Sequence, residues 1–153
     1  MNKKKLTLLA FGALIIILIL GKTGIINIGS SKDVFYDEVA NYEVIKSSII
    51  SSQGEDYAVI ELNCENKSNT DLVPWENSSF IVEQDGPSRV IPLERVTEYN
   101  KNFGNEDSFN KAKEKFSQGE KSKIELVYKV KFKDSPVYIR GLSNGNNFEY
   151  TIK

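Results

Sequence analysis

The chain has 153 residues, with 20 lysines and arginines against 21 aspartates and glutamates, one cysteine and no histidine. A lone Cys64 excludes an intrachain disulfide. The lack of histidine removes the usual general base, the commonest metal ligand and every Ser-His or Cys-His arrangement. Setting aside Lys3, Lys4, Lys5 and Lys22, the remainder carries 16 basic and 21 acidic groups, a net of −5 that argues against general nucleic-acid affinity.

The first element is apolar. Three lysines precede the 15 residues from Leu6 to Leu20, and Gly21 to Ile28 extend the stretch toward the length of a spanning helix, with Lys22 its only charge. Lysines ahead of an apolar run hold the N-terminus inside and send the rest outward. No small-residue cleavage tripeptide follows, and no cysteine ends the run. Residues 1–30 therefore read as an uncleaved membrane anchor and short linker, with residues 31–153 as an extracytoplasmic domain. Secretion after signal cleavage is the alternative.

From there the periodicity is that of strands. Tyr42 to Ile50 forms a first strand with weak alternation. Tyr57 to Asn66 alternates cleanly: Ala58, Ile60, Leu62 and Cys64 face a core, while Tyr57, Glu61, Asn63 and Glu65 face solvent, with Val59 the exception. Cys64 thus reads as a small buried hydrophobe. Asn66 to Asn69 makes a turn, and Trp75 beside Pro74 reads as a plug at the end of the core.

Ser79 to Gln84 forms the next strand, ending in Asp85-Gly86. A two-residue hairpin there would place Phe80 opposite Ile91, although Pro87 conflicts with a ladder position. Alternation returns at Ile124, Leu126, Tyr128, Val130 and Phe132, then at Val137 and Ile139, and again at Phe148, Tyr150 and Ile152. About seven strands separated by turns predict an all-β antiparallel sandwich.

Between strands lies Glu94 to Gly119, long and polar. Phe109, Ala112 and Phe116 recur at helical spacing, predicting a short helix near 107–116 capped by Asp107 or Ser108. Loops of this length often carry function; the alternative is a mobile crossover pinned by its aromatics.

Candidate chemistry is sparse. The acidic pairs Asp37-Glu38, Glu55-Asp56 and Glu106-Asp107 do not fall in calcium-loop spacing, so no metal or cofactor is expected. Ser108 and Lys111 have the Ser-x-x-Lys spacing of acyl enzymes without its companion motifs. The clearest surface feature is the face opposite Ile124–Phe132: Lys121, Lys123, Glu125, Val127, Lys129, Lys131 and Lys133. Five lysines in seven positions suggest docking onto an anionic envelope polymer, headgroups or an acidic protein. The competing explanation is that edge lysines discourage aggregation.

The Tyr57–Lys67 element, the Ser79–Gly86 strand and turn, and Gln118-Gly119-Glu120 leading into Lys123–Phe132 together resemble a known family. It is the telokin-like, immunoglobulin-fold domain of unknown function found in bacterial exported and surface proteins, related to the immunoprotective extracellular protein fold. The similarity covers about Tyr36 to Ile152. Gln118 stands where that pattern usually has proline, and the lipoprotein signal of many members is missing. The resemblance implies an immunoglobulin-like sandwich without established activity. The expectation is a membrane-tethered, non-catalytic binding or interaction module of a bacterial envelope, whose partner is an envelope protein or anionic polymer. A component of an envelope assembly is the second reading, and a carboxylate or Ser-Lys enzyme the weakest.

Overall fold

The computed structural model describes residues 34–36 and 38–152. The expected anchor over residues 1–30 lies outside them, as does Asp37 of the first acidic pair. Among the described residues no helix is long and apolar enough to cross a membrane.

Among the described residues, eight strands and one short helix follow in order: β1 (Val34–Tyr36), β2 (Ala40–Ser52), β3 (Glu55–Asn66), β4 (Phe80–Asp85), β5 (Val90–Pro92), α1 (Glu106–Lys111), β6 (Lys121–Lys129), β7 (Val137–Ser143) and β8 (Asn146–Ile152). They form two four-stranded antiparallel sheets, β1-β2-β3-β6 and β5-β4-β7-β8, so the described residues make an all-β sandwich. The strand beyond the expected seven is β1, whose three residues are too few to display a period, yet whose Phe35 is buried.

Two hairpins are set by left-handed residues. Ser52 pairs with Glu55 across Gln53 (φ 55°) and Gly54 (φ 83°). Ser143 pairs with Asn146 across Asn144 (φ 50°) and Gly145 (φ 77°). Positive φ at both central positions makes the turn whose twist matches the flanking strands. The Asp85-Gly86 hairpin differs from the expected two-residue loop. Asp85 pairs with Val90 and Gln84 with Ile91, so Gly86 to Arg89 form a four-residue loop closed by the Gly86 N–H donating to the Arg89 carbonyl at 3.0 Å. Pro87 lies within that loop, where its missing N–H costs nothing.

The core lies between the sheets. Ala58, Ile60 and Leu62 of β3 stand opposite Tyr128, Leu126 and Ile124 of β6, all buried. Phe80, Val82, Val137, Ile139 and Ile152 face them from the second sheet. At one end the rings of Phe35, Tyr42, Phe80 and Phe148 meet at centroid separations of 4.6–5.2 Å in stacked, edge and tilted arrangements. In β2 a bulge between Val44 and Lys46 shifts the register by one residue. It leaves Ile45 41% exposed and explains the weak alternation of Tyr42 to Ile50.

Two buried amides tie down the connections. Asn66, at the inward end of β3, donates to the carbonyls of Thr70 and Phe116, both at 2.8 Å, and accepts from the Ser68 N–H at 2.9 Å. Gln84, at the inward end of β4, binds the crossover from β6 to β7. Its Nε2 donates to the Phe132 and Ser135 carbonyls at 2.6 and 3.0 Å, while Oε1 accepts from the Lys131 and Phe132 N–H groups, both at 3.0 Å. This crossover is why β6 stops at Lys129 rather than continuing to Phe132: the chain leaves one sheet to enter the other.

Replacing Gln84 by leucine keeps the bulk but leaves three partly buried backbone groups, the Lys131 and Phe132 N–H groups and the Ser135 carbonyl, without the partner it gave them. Each such group costs roughly 1–3 kcal/mol, partly recovered where water can enter. Gln84→Leu should therefore lower unfolding stability by about 3 kcal/mol in a denaturant titration. A change below about 0.5 kcal/mol would show that the amide does not hold the crossover.

Candidate functional site

The site is the outer face of the first sheet. Alternation in β6 sends Lys121, Lys123, Glu125, Val127 and Lys129 to that face, and β3 contributes Tyr57, Val59, Glu61, Asn63 and Glu65. The register sets Tyr57 opposite Lys129, Val59 opposite Val127, Glu61 opposite Glu125, Asn63 opposite Lys123 and Glu65 opposite Lys121. One half of the face is thus apolar and the other polar.

The apolar half is covered by the 94–112 segment. Val59, Val127 and Phe109 form a second buried cluster, with Ile50, Tyr57, Trp75, Val96, Tyr99 and Phe103 packed around it. The bulge in β2 supplies Ile50 to this face by shifting the frame. Glu94 and Val96 also lengthen the sheet: the Val96 N–H donates to the Val127 carbonyl at 2.8 Å and the Lys129 N–H to the Glu94 carbonyl at 3.0 Å. Downstream, Phe116 exchanges two backbone bonds with Leu72, at 2.7 and 3.0 Å, and is fully buried. The segment is a fixed cover, not a loose crossover.

The helix begins and ends earlier than expected. Its cap is Asn105, whose side chain accepts from the Ser108 N–H at 2.8 Å, and it ends at Lys111. An asparagine can occupy the extended conformation a cap needs, and the residues expected to cap, Asp107 and Ser108, fall inside the first turn. Arg95 braces the cover. Its guanidinium carbon lies 5.3 Å from the ring centroids of both Trp75 and Tyr128, and it donates to Tyr128 Oη, Ser78 Oγ and the Trp75 carbonyl. Trp75 is half-buried beneath it. Lys113 adds a second cation over Trp75 and Phe109, at 4.9 and 4.4 Å.

Glu125 is the unexpected member. It lies in the outward frame between lysines, yet is only 1% exposed. Its Oε2 accepts from the Asn105 N–H at 2.9 Å, so it holds the entrance of α1 to the sheet. A Cβ at Gly104 would collide with that oxygen, which is why a residue without a side chain stands there. Oε1 has no hydrogen-bond partner among the described residues. Burial pushes the Glu125 carboxyl above its ordinary value, against the pull of the nearby Asn105 and Gly104 backbone N–H groups; nearby Glu61 adds to the rise and Lys46 opposes it.

The buried Glu125 and Val127 divide the lysine stripe. Lys121 and Lys123 lie at one end, beside Glu65 at 3.3 Å and Glu61 at 2.9 Å. Lys129 pairs with Glu55, and Lys131 lies 3.5 Å from Glu94. Lys133 is exposed past the end of β6. The structure therefore does not bring the five lysines onto one open face, and four of them have glutamate partners. Ser108 and Lys111 are not paired either: Ser108 is buried, while Lys111 Nζ reaches Glu114 at 2.8 Å and Glu120 at 3.3 Å. No group of three or more acidic or cysteine side chains among the described residues is placed to hold a metal ion.

The polar half of the face is open. It forms a hollow of about 670 Å³ across β1, β2, β3 and β6. Register builds it from two cross-strand rows. In one, Tyr36, Asn41, Glu65 and Lys121 stand side by side; in the other, Val34, Glu43, Asn63 and Lys123. Asn41 Nδ2 donates to Glu65 at 3.2 Å and Asn63 Nδ2 to Glu43 at 2.9 Å. Lys67, with Lys121 and Asn41, holds the Glu65 carboxyl below its ordinary value, so it is ionised at neutral pH.

No protein-family model and no curated protein matches this sequence. Two solved structures share the fold. A candidate lipoprotein from Staphylococcus aureus subsp. aureus NCTC 8325 superposes with a TM-score of 0.65 at 12% identity, covering 79% of this chain and 88% of its own. An uncharacterised β-sandwich protein from Clostridium difficile 630 does so at 0.52 and 11% identity, covering 80% of this chain and 91% of its own. At these identities the likeness defines the class, a β-sandwich, and nothing finer.

Because the Glu125 carboxyl is raised by burial, its contribution to stability is largest below the ordinary carboxylate value and is lost as pH rises from there through the raised value. Glu125→Gln keeps an acceptor for the Asn105 N–H but cannot ionise. Melting temperatures measured from pH 4 to pH 8 should show the variant gaining on the parent as pH rises. A difference that is flat with pH, or of opposite sign, would contradict a buried, raised carboxyl.

Proposed function

We propose that this protein is a non-catalytic binding module held at the outer face of a bacterial membrane by residues 1–30, its sandwich presenting a receptor surface to an envelope component. The observation that carries this reading is the open, polar hollow on the first sheet, set beside a cover that is bonded in place. Rigid elements on all four strands position its side chains, as a preformed binding surface requires.

Other features support the compartment. Lys3, Lys4 and Lys5 ahead of the apolar run favour a C-terminal domain outside. The fold is shared with a candidate lipoprotein, a class attached to the envelope. The resemblance to the telokin-like, immunoglobulin-fold domain of exported proteins points the same way. Among the stripe lysines, Lys121 and Lys123 line the hollow, whereas Lys129 and Lys131 serve the edge where Glu94 and Val96 join the sheet. The hollow, rather than the stripe, is therefore the binding surface.

Protease added to intact cells should digest the sandwich domain and leave an N-terminal fragment in the membrane fraction. Full protection of the domain, or its release into the medium as a processed form beginning near Ser31, would contradict the tethered reading.

A further inference from the structure

We infer that the hollow on the first sheet takes a neutral oligosaccharide, a short run of an envelope glycan; this deepens the receptor reading above and rests on it. The argument is one of charge, hydrogen-bonding capacity and shape. Within the two rows, the carboxylates of Glu43 and Glu65 are balanced by the ammonium groups of Lys121 and Lys123. A polyanion entering the hollow would meet as much repulsion as attraction, and so would a polycation.

The hydrogen-bonding groups left over are of both kinds. The amide nitrogens of Asn41 and Asn63 are directed to Glu65 and Glu43, so their carbonyl oxygens are turned to accept. The lysine ammonium groups have three donors each, of which the glutamate contacts use only part. A sugar hydroxyl both donates and accepts, so it can bridge an amide oxygen and an ammonium set side by side. At the β1 edge stand Tyr36, 37% exposed, and Val34. An exposed aromatic ring beside polar groups offers the flat apolar platform on which the C–H face of a pyranose can lie.

Shape favours the same ligand over a peptide strand. A row crossing four strands spans about 14 Å at the usual inter-strand spacing, the reach of a di- or trisaccharide. An extended peptide would instead add to a free sheet edge. The β1 edge is closed: the Tyr36 N–H donates to Ser143 Oγ at 3.1 Å and the Asn144 N–H to the Tyr36 carbonyl at 3.0 Å. The hollow lies on the face of the sheet, not along its edge.

The test uses the full chain in lipid nanodiscs, titrated with chitotetraose and cellotetraose as neutral probes and with polyphosphate as an anionic one, followed by ligand-observed NMR. Saturable binding of a neutral oligosaccharide is expected, weakened about tenfold by Tyr36→Ala and by Asn63→Leu. Ile81→Ala, on the exposed face of the other sheet, should leave it unchanged, and all three variants should melt within a few degrees of the parent. Three outcomes would overturn the inference: no neutral oligosaccharide binding up to about 10 mM, a limit corresponding to very weak association; binding that neither Tyr36→Ala nor Asn63→Leu weakens; or polyphosphate binding more tightly than either sugar. Surface exposure in the protease experiment is independent of all three, so the receptor reading can stand when the sugar does not bind.

Discussion

The first sheet is apolar on both faces over the same stretch, and the rest of the molecule is arranged around that constraint. Ala58, Ile60 and Leu62 look into the sandwich, while Val59 between them and Val127 opposite it look out. A sheet with one face on a core usually leaves the other to water. Here the outward pair requires a second layer, and the 94–112 segment supplies it with Phe109, Tyr99 and Phe103. Glu125 fixes the layer by accepting the Asn105 N–H at the start of α1. That arrangement also relieves a conflict in register: Glu61 and Glu125 stand directly opposite, a destabilising pair in an open sheet, and Glu61 turns to Lys123 instead.

The cover also defines what remains free. By occupying the half of the face around Val59 and Val127, it leaves the half around Asn41, Glu43, Asn63 and Glu65 as an open hollow bounded by strands that are all tied into the core. The polar half needs no cover, because its side chains are polar and bond one another. One sheet therefore carries a structural half and a presented half, divided at Glu125.

Much of the fold was legible because strand alternation is a direct record of burial. The inward frame of β3 and the buried state of Cys64 followed from period two alone. The exception in that pattern has a structural cause: Val59, out of step in an otherwise regular strand, belongs to the outer apolar layer. Asn66 and Gln84 are polar residues in inward frames, which is the signature of amides that bind connections. Other features left no local trace. Glu125 sits in an outward frame among lysines and reads as solvated, since only the packing of a segment twenty residues earlier buries it. β1 is too short for a period, and the bulge at Val44 to Lys46 blurs that of β2. The lysine stripe was visible as a pattern but not as a surface, because its partners Glu55, Glu61, Glu65 and Glu94 come from other strands and from the cover.

Amide hydrogen exchange at Asn105 tests this account most directly, because that N–H group is the one Glu125 holds. If the cover is bonded to the sheet, the Asn105 amide exchanges about 100-fold or more slowly than in an unfolded chain, and Glu125→Ala removes that protection while the amides of β3 keep theirs. Exchange at the unfolded rate in the parent protein would contradict the account, since the 94–112 segment would then not be fixed and the division of the sheet into covered and presented halves would fail.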